Sequence, residues 1–200
     1  MMQPRGGAAW CTECGRRDHD AAIEPLFVVT GASGSGKTAI FAPLARTLAG
    51  RCVTFDVDWL LDAAGALGGG RPIEWPAFWQ AWLAVAHGVA QNGMPTVLLG
   101  SIMPPLDDIA SREWVGAIHY LLLDCTDELR RDRLESRPSW RARDIEKQAS
   151  FANWLRSHVP DRVDTGDKTP DETAAAVAAW VTAVTAERGL CPREQRTGTP

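Results

Sequence analysis

Residues 31–38 read Gly31-Ala32-Ser33-Gly34-Ser35-Gly36-Lys37-Thr38, the pattern G-x-x-x-x-G-K-[ST]. An apolar run, Leu26-Phe27-Val28-Val29, precedes it, and a helix-forming stretch from Ala39 to Leu48 follows. Strand, glycine-rich loop and helix are the context in which this pattern builds a phosphate cradle. Coincidence is a poor alternative, because the whole chain has only three lysines, Lys37, Lys147 and Lys168. The feature commits the chain to a strand that ends in an anion-binding loop. It implies that the chain binds the phosphate tail of a nucleoside triphosphate.

The residue types carry the chemistry. Glycines let the backbone turn tightly enough for successive N–H groups to point at one anion. The helix that follows adds the positive end of its dipole. Gly31, Ala32, Ser33, Gly34, Ser35, Gly36, Lys37 and Thr38 are therefore the expected nucleotide-binding residues. Lys37 would reach the β- and γ-phosphates, and the Thr38 hydroxyl would ligate Mg²⁺.

Further along the chain, apolar runs predict strands over 26–30, 52–56, 96–100, 118–124 and a short 162–165. The first four are dense in apolar residues, as strands buried on both faces are. Helical stretches are expected over 37–49, 76–92, 107–115, 126–136 and 170–187. Thr126 before Asp127-Glu128, and Pro170 before Asp171-Glu172, are helix starts. Pro43 falls inside the helix after the loop, where a local kink is expected. Alternating strand and helix predicts an α/β fold with a parallel sheet covered on both faces.

At 200 residues the chain suits one such domain. Residues 1–23 lack apolar periodicity and are expected to be a mobile arm, with the domain over 24–187 and a frayed tail over 188–200. Gly65 to Pro72 reads as a flexible connector. The arm holds Cys11, Cys14 and His19, too few local ligands for a usual zinc site, and exposed thiols are the simpler reading. Cys52 and Cys125 sit in apolar runs as buried thiols. A net charge of −4 disfavours nucleic acid and anionic membranes as partners. There is no bilayer-length apolar run and no signal-peptide core, so the chain reads as cytoplasmic.

Phosphoryl transfer needs carboxylates as well as a cradle. Asp56-Val57-Asp58 closes the second strand, and strand C-termini line the ligand crevice of a parallel sheet. Alternation puts Asp56 and Asp58 on one side of the chain. One would hold Mg²⁺ while the other takes a substrate proton. A helix cap by Asp58 is the alternative.

With these features together, the chain resembles the small P-loop kinases, a group that includes shikimate, gluconate, nucleoside and nucleotide kinases and chloramphenicol phosphotransferase. The loop, Asp56-x-Asp58, the run Leu121 to Pro138 and the ending Val163 to Pro170 carry the resemblance, over roughly residues 24–187. It implies a P-loop NTPase three-layer sandwich with a five-stranded parallel sheet ordered 2-3-1-4-5, an acceptor-binding helical segment over 59–92 and a lid over 137–143. It matches Asp56 to a metal-side aspartate and Asp58 to a substrate-binding aspartate or base. Arg137 matches a lid arginine that meets the phosphates. Either Arg130 or Arg133 matches an arginine stacked on adenine, and spacing does not choose between them. Lys168 lies in the stretch that resembles the adenine loop. Several relatives carry an acidic residue at the end of strand three, where this chain has Gly100-Ser101.

The arginines also have their own physical argument, since a guanidinium binds phosphoryl oxygens bidentately and spreads charge over them. Arg137, beside Pro138 in a break between helices, is the one expected to act. On the acceptor side, Trp59, Trp75, Phe78, Trp79 and Trp82 form an aromatic segment. From Trp75 onward the spacing is helical, so core packing and an aromatic acceptor pocket both remain open, with Trp59, Trp79 and Trp82 as the candidate contacts. His87 and His119 read as packed histidines. The functional expectation is an ATP- and Mg²⁺-dependent kinase acting on a hydroxyl of a small molecule, with a nucleoside- or nucleotide-like acceptor. Lys37, Asp58 and Arg137 would be its catalytic residues. An antibiotic O-phosphotransferase and a non-catalytic ATP-binding regulatory module are the alternatives. Oligomeric state is not legible.

Overall fold

A computed structural model describes residues 2–5, 8–11, 17–18, 24–61, 73–103, 106, 109, 112–138 and 144–187. The phosphate loop springs from strand β4 (Leu26–Thr30), and every residue of that strand is buried. The other strands of the main sheet are β5 (Val53–Asp56), β6 (Thr96–Gly100), β7 (Ile118–Asp124) and β8 (Arg162–Asp164). The sheet order is β5-β6-β4-β7-β8, and all four pairings are parallel. Counted along the chain this is 2-3-1-4-5, as the resemblance implies. Leu26 faces Thr96 on one side and Ile118 on the other, so β4 is the central strand.

Alternation along β4 builds two cores. Phe27 and Val29 pack with Ile40 and Leu44 of α1 (Lys37–Thr47) and with Val177 and Val181 of α5 (Pro170–Glu187). Leu26 and Val28 face the opposite layer, with Phe78, Trp82 and Leu83 of α2 (Trp75–Ala90). A buried strand pair with helices on both faces is the three-layer arrangement expected of apolar parallel strands. α1 runs through Pro43 from Lys37 to Thr47, so the proline does not end it.

Three expectations change. Of the stretch 107–115 only residues 109 and 112–115 are described, and there a 3₁₀ turn, Arg112–Trp114, stands in place of the expected α-helix. The chain has to turn there into β7, and Arg112 Nη1 donates to the carbonyls of Val115 and Gly116 at 3.1 and 2.9 Å. Beyond α3 (Asp127–Glu135) lies a further helix, α4 (Ile145–His158), that the strand-and-helix reading left out. Its signals are present, because the Asp144 side chain caps the Lys147 amide and Ala152 and Leu155 face inward. Finally, the described residues of the expected arm form three short antiparallel strands, β1 (Met2–Arg5), β2 (Ala8–Cys11) and β3 (Arg17–Asp18). Cys14, His19, the connector 65–72, lid residues 139–143 and the tail 188–200 lie outside the described residues. Among the described residues no helix is long and apolar enough to cross a membrane.

Candidate active site

Because the sheet is parallel, its strands present their C-terminal ends along one edge, and the chain changes direction across the sheet at β4. The loop leaves β4 at this point. Gly36 caps α1 in the left-handed region, at φ 96°, and Gly34 sits at φ 87°. A Cβ on Gly34 would also meet Arg130 Cγ at 3.1 Å, so the position is closed to other residues on two grounds.

A cleft of about 560 Å³ opens over the loop. Its walls bring together residues from five parts of the chain. Ser33, Gly34, Gly36, Lys37 and Thr38 form the floor, and Asp56 and Asp58 come from the end of β5. Arg133, Arg137 and Lys168 contribute positive charge. Asp56 and Asp58 do share one cleft, although β5 ends at Asp56 and the chain turns at Val57 into a helical turn over 58–61, so strand alternation is not what brings Asp58 there. Asp56 Oδ1 accepts the Asp58 amide at 3.0 Å, so the capping contact at this corner belongs to Asp56.

Lys37 Nζ donates to the carbonyls of Gly31 and Ala32 at 2.6 and 3.1 Å, and to Ser35 Oγ at 3.4 Å. The side chain keeps some exposure to the cleft, but the loop encloses its ammonium. Burial pushes its pKa down to about 8. The charges of Arg130 and Arg137 act in the same direction, while Asp58 and Asp56 oppose it.

The two arginine alternatives separate. Arg130 is 1% exposed. It bonds Asp124 Oδ1 at 2.8 Å and the Ser33 carbonyl at 3.3 Å, beneath the loop. It is committed to holding the loop and is withdrawn from the adenine candidates. Arg133 remains. It lines the cleft, bonds the carbonyls of Gly34 and Thr165 at 3.1 and 2.9 Å, and keeps its position on the cleft wall. Asp124, buried at the end of β7, also holds Arg156 at 2.7 Å. Arg156 bonds Asp127 as well, which holds the Asp127 carboxyl below its usual range. Sequence reasoning missed Arg156 because it overlooked α4.

The aromatic candidates divide too. Trp82 is 2% exposed and packs on Phe55 in the core, so it is a packing residue with no surface left for an acceptor. Trp79 packs against the same core and against the Phe78 ring at 5.0 Å. Neither lines the cleft. Trp59 is 54% exposed, next to Asp58, and edges against Phe41 and Phe55. His87 bonds the Trp114 carbonyl and His119 stacks on Phe27, both as packed histidines. Cys52 and Cys125 are buried free thiols, and burial pushes Cys52 up to about 11.

The Gly100-Ser101 departure has a steric cause. A Cβ at Gly100 would overlap Val57 Cγ2, so no carboxylate fits there while Val57 fills that space. Ser101 lines the cleft and donates to the Gly31 carbonyl at 3.2 Å. Among the described residues no group of three or more His, Cys, Asp or Glu side chains converges on a metal position. The oxygen donors present, the Thr38 hydroxyl with Asp56 and Asp58, suit a hard cation that arrives with phosphates and keeps several waters.

No family model and no curated protein sequence matches the chain. Solved structures do. A gluconokinase from Sinorhizobium meliloti 1021 is 18% identical and superposes at TM-score 0.54, over 84% of this chain and 98% of its own. The tunicamycin resistance protein of Deinococcus radiodurans is 19% identical at TM-score 0.62, over 79% and 95%. A shikimate kinase from Bacteroides thetaiotaomicron is 15% identical at TM-score 0.55, over 80% and 99%. At such identities the likeness speaks for architecture. The chain thus has the fold of the small P-loop kinases.

Proposed function

We propose that the protein is an ATP-dependent phosphotransferase that moves the γ-phosphate to a hydroxyl of a small molecule. The observation that carries this reading is the cleft itself, where Lys37 of the phosphate loop and Asp58 of a different strand end line one space. In the reaction, Asp58 takes the proton of the acceptor hydroxyl as its oxygen bonds to the γ-phosphorus. The bond from that phosphorus to the bridging oxygen breaks, and ADP leaves with the electron pair. Lys37, Arg137 and the loop N–H groups stabilise the charge on the transferring group, while Arg133 is the arginine that would meet the adenine. The Thr38 hydroxyl and Asp56 would hold Mg²⁺, which neutralises phosphate charge. Lys168, which also lines the cleft, would meet the base and ribose side of the nucleotide.

With Phe78 and Trp82 taken by the core, Trp59 and Trp75 are the exposed aromatics of the segment, and Trp59, beside Asp58, is the candidate to support a planar, nucleoside-like acceptor. A second reading is an antibiotic O-phosphotransferase. It is favoured by the resemblance of Phe55-Asp56-Val57-Asp58-Trp59-Leu60 to the chloramphenicol phosphotransferase segment and by the structural likeness to the tunicamycin resistance protein.

An ATP-consumption screen against nucleosides, nucleotides, sugar acids and antibiotics tests both readings. One acceptor is expected to stimulate turnover. ATP hydrolysis equal with every acceptor and with none would leave only a nucleotide-binding module. With the acceptor found, Asp58→Asn is expected to lower kcat by about 10²–10⁴-fold while ATP binding stays near wild type, the size of a lost general base. Wild-type turnover in this variant would make Asp58 a structural residue.

A further inference from the structure

The Ser33 amide at the turn of the phosphate loop does not face solvent alone: it donates to Gln148 Oε1 at 2.8 Å, across 115 residues of chain. Gln148 stands in the first turn of α4. That helix is a firm platform, because Ala152 and Leu155 are buried and Arg156 is tied to Asp124 at 2.7 Å.

The contact matters because of what lies on the other side of the same peptide. In a trans peptide the carbonyl and the N–H point in opposite directions. The Ala32 carbonyl accepts Lys37 Nζ at 3.1 Å. The Ala32–Ser33 peptide is therefore held on both sides, its carbonyl by Lys37 and by the Ser35 N–H at 3.2 Å, and its amide by Gln148. The next peptide is held as well, since the Ser33 carbonyl accepts Arg130 Nη1 at 3.3 Å. That contact turns the Gly34 N–H to the opposite side, and Gly34 lines the cleft. Arg133 and the Cys125 thiol then take the Gly34 carbonyl. Side chains from outside the loop thus help to orient its outer turn, and Gln148 is the one that holds the amide side of the first of these peptides.

We propose that Gln148 is a positioning residue for the phosphate loop. By accepting the Ser33 N–H it locks the rotation of the Ala32–Ser33 peptide, and so presets both the resting place of Lys37 and the direction of the loop's N–H groups before nucleotide arrives. Preorganisation of this kind lowers the cost of binding any ligand that uses the loop. The inference rests on the nucleotide-binding reading for its effect on affinity, but the effect on the loop can be measured without nucleotide.

Gln148→Met keeps the size and removes the acceptor. Gln148→Glu keeps an acceptor oxygen in the same place. Amide hydrogen exchange at Ser33, read by NMR on the full chain without nucleotide, is expected to be at least about tenfold faster in Gln148→Met and to return to within about threefold of wild type in Gln148→Glu. The dissociation constants of Gln148→Met for ADP and for ATP with Mg²⁺, read by calorimetry, are expected to rise together by about tenfold, the size of one hydrogen bond lost from a part-buried donor. Its melting temperature should stay within a few degrees of wild type. Unchanged Ser33 exchange in Gln148→Met would overturn the inference, and so would faster exchange with wild-type affinity for both nucleotides. A wild-type protein that binds neither nucleotide would refute the functional reading itself, and the exchange measurement would still decide whether Gln148 holds the loop.

Discussion

Lys37 offers the sharpest quantitative test, because its ammonium sits among loop carbonyls with no anion yet bound. Burial, reinforced by Arg130 and Arg137, lowers its pKa from 10.5 to about 8 in the nucleotide-free protein. Phosphate oxygens beside it would remove that penalty and return the pKa to about its ordinary value or above. Nucleotide binding must then take up protons wherever the free protein has Lys37 neutral and the complex has it charged. At pH 7 the free lysine is about nine-tenths charged, and the uptake is about 0.1 proton. At pH 9 it is about nine-tenths neutral, and the uptake is about 0.9 proton. The dissociation constant for ATP is therefore expected to rise about tenfold from pH 7 to pH 9, as the integral of that uptake. Calorimetry in two buffers of different ionisation enthalpy counts the protons directly. Lys37→Met should bind weakly and lose the pH dependence. An uptake below about 0.2 proton at pH 9 in the wild type would refute the argument. The same shift affects the empty protein. A lysine with a depressed folded-state pKa disfavours folding while it is charged, so nucleotide-free stability should rise between about pH 8 and 10.5 as the unfolded chain holds the extra proton.

Two further outcomes follow from packing. Gly100→Ala places a methyl group against Val57 and should destabilise the protein by about 1–3 kcal/mol in denaturant unfolding, the usual range for overpacking. Wild-type stability in that variant would mean that Val57 can move aside. Trp82→Ala should cost about 3–5 kcal/mol of stability, whereas Trp59→Ala should cost under about 1 kcal/mol and act instead on acceptor KM. Equal stability losses in the two would contradict the division between a core and an exposed tryptophan.

Much of the site was legible because its key parts are local in sequence. The phosphate loop is eight consecutive residues between an apolar strand and a helix, so its geometry follows from short-range backbone rules. Asp56 and Asp58 were legible as a pair because they follow an apolar run whose C-terminal end faces the ligand crevice, although the turn at Val57, and not the alternation of an extended chain, places Asp58. The parallel sheet followed from apolar runs that separate helical stretches. α4 was legible in principle, through the Asp144 cap and the inward spacing of Ala152 and Leu155, but its polar first turn masks that pattern.

Other assignments depend on distances that no spacing encodes. Arg130 and Arg133 stand less than one turn apart on α3, and what separates them is the position of Asp124, which draws Arg130 under the loop and leaves Arg133 on the cleft wall. Trp82 and Trp59 are both tryptophans near the acceptor side, and the sheet face that α2 covers decides that one is core and the other exposed. Gly100, the last residue of β6, has no room for a side chain because Val57, just beyond the end of neighbouring β5, fills that space. Gln148 and Ser33 are 115 residues apart and meet only because α4 docks beside the loop. By itself the sequence determined the phosphate cradle and the pair of aspartates, because backbone rules act over a few residues. The tertiary structure alone decided which arginine, which tryptophan and which glutamine serve that cradle, because their roles depend on packing between elements far apart in the chain.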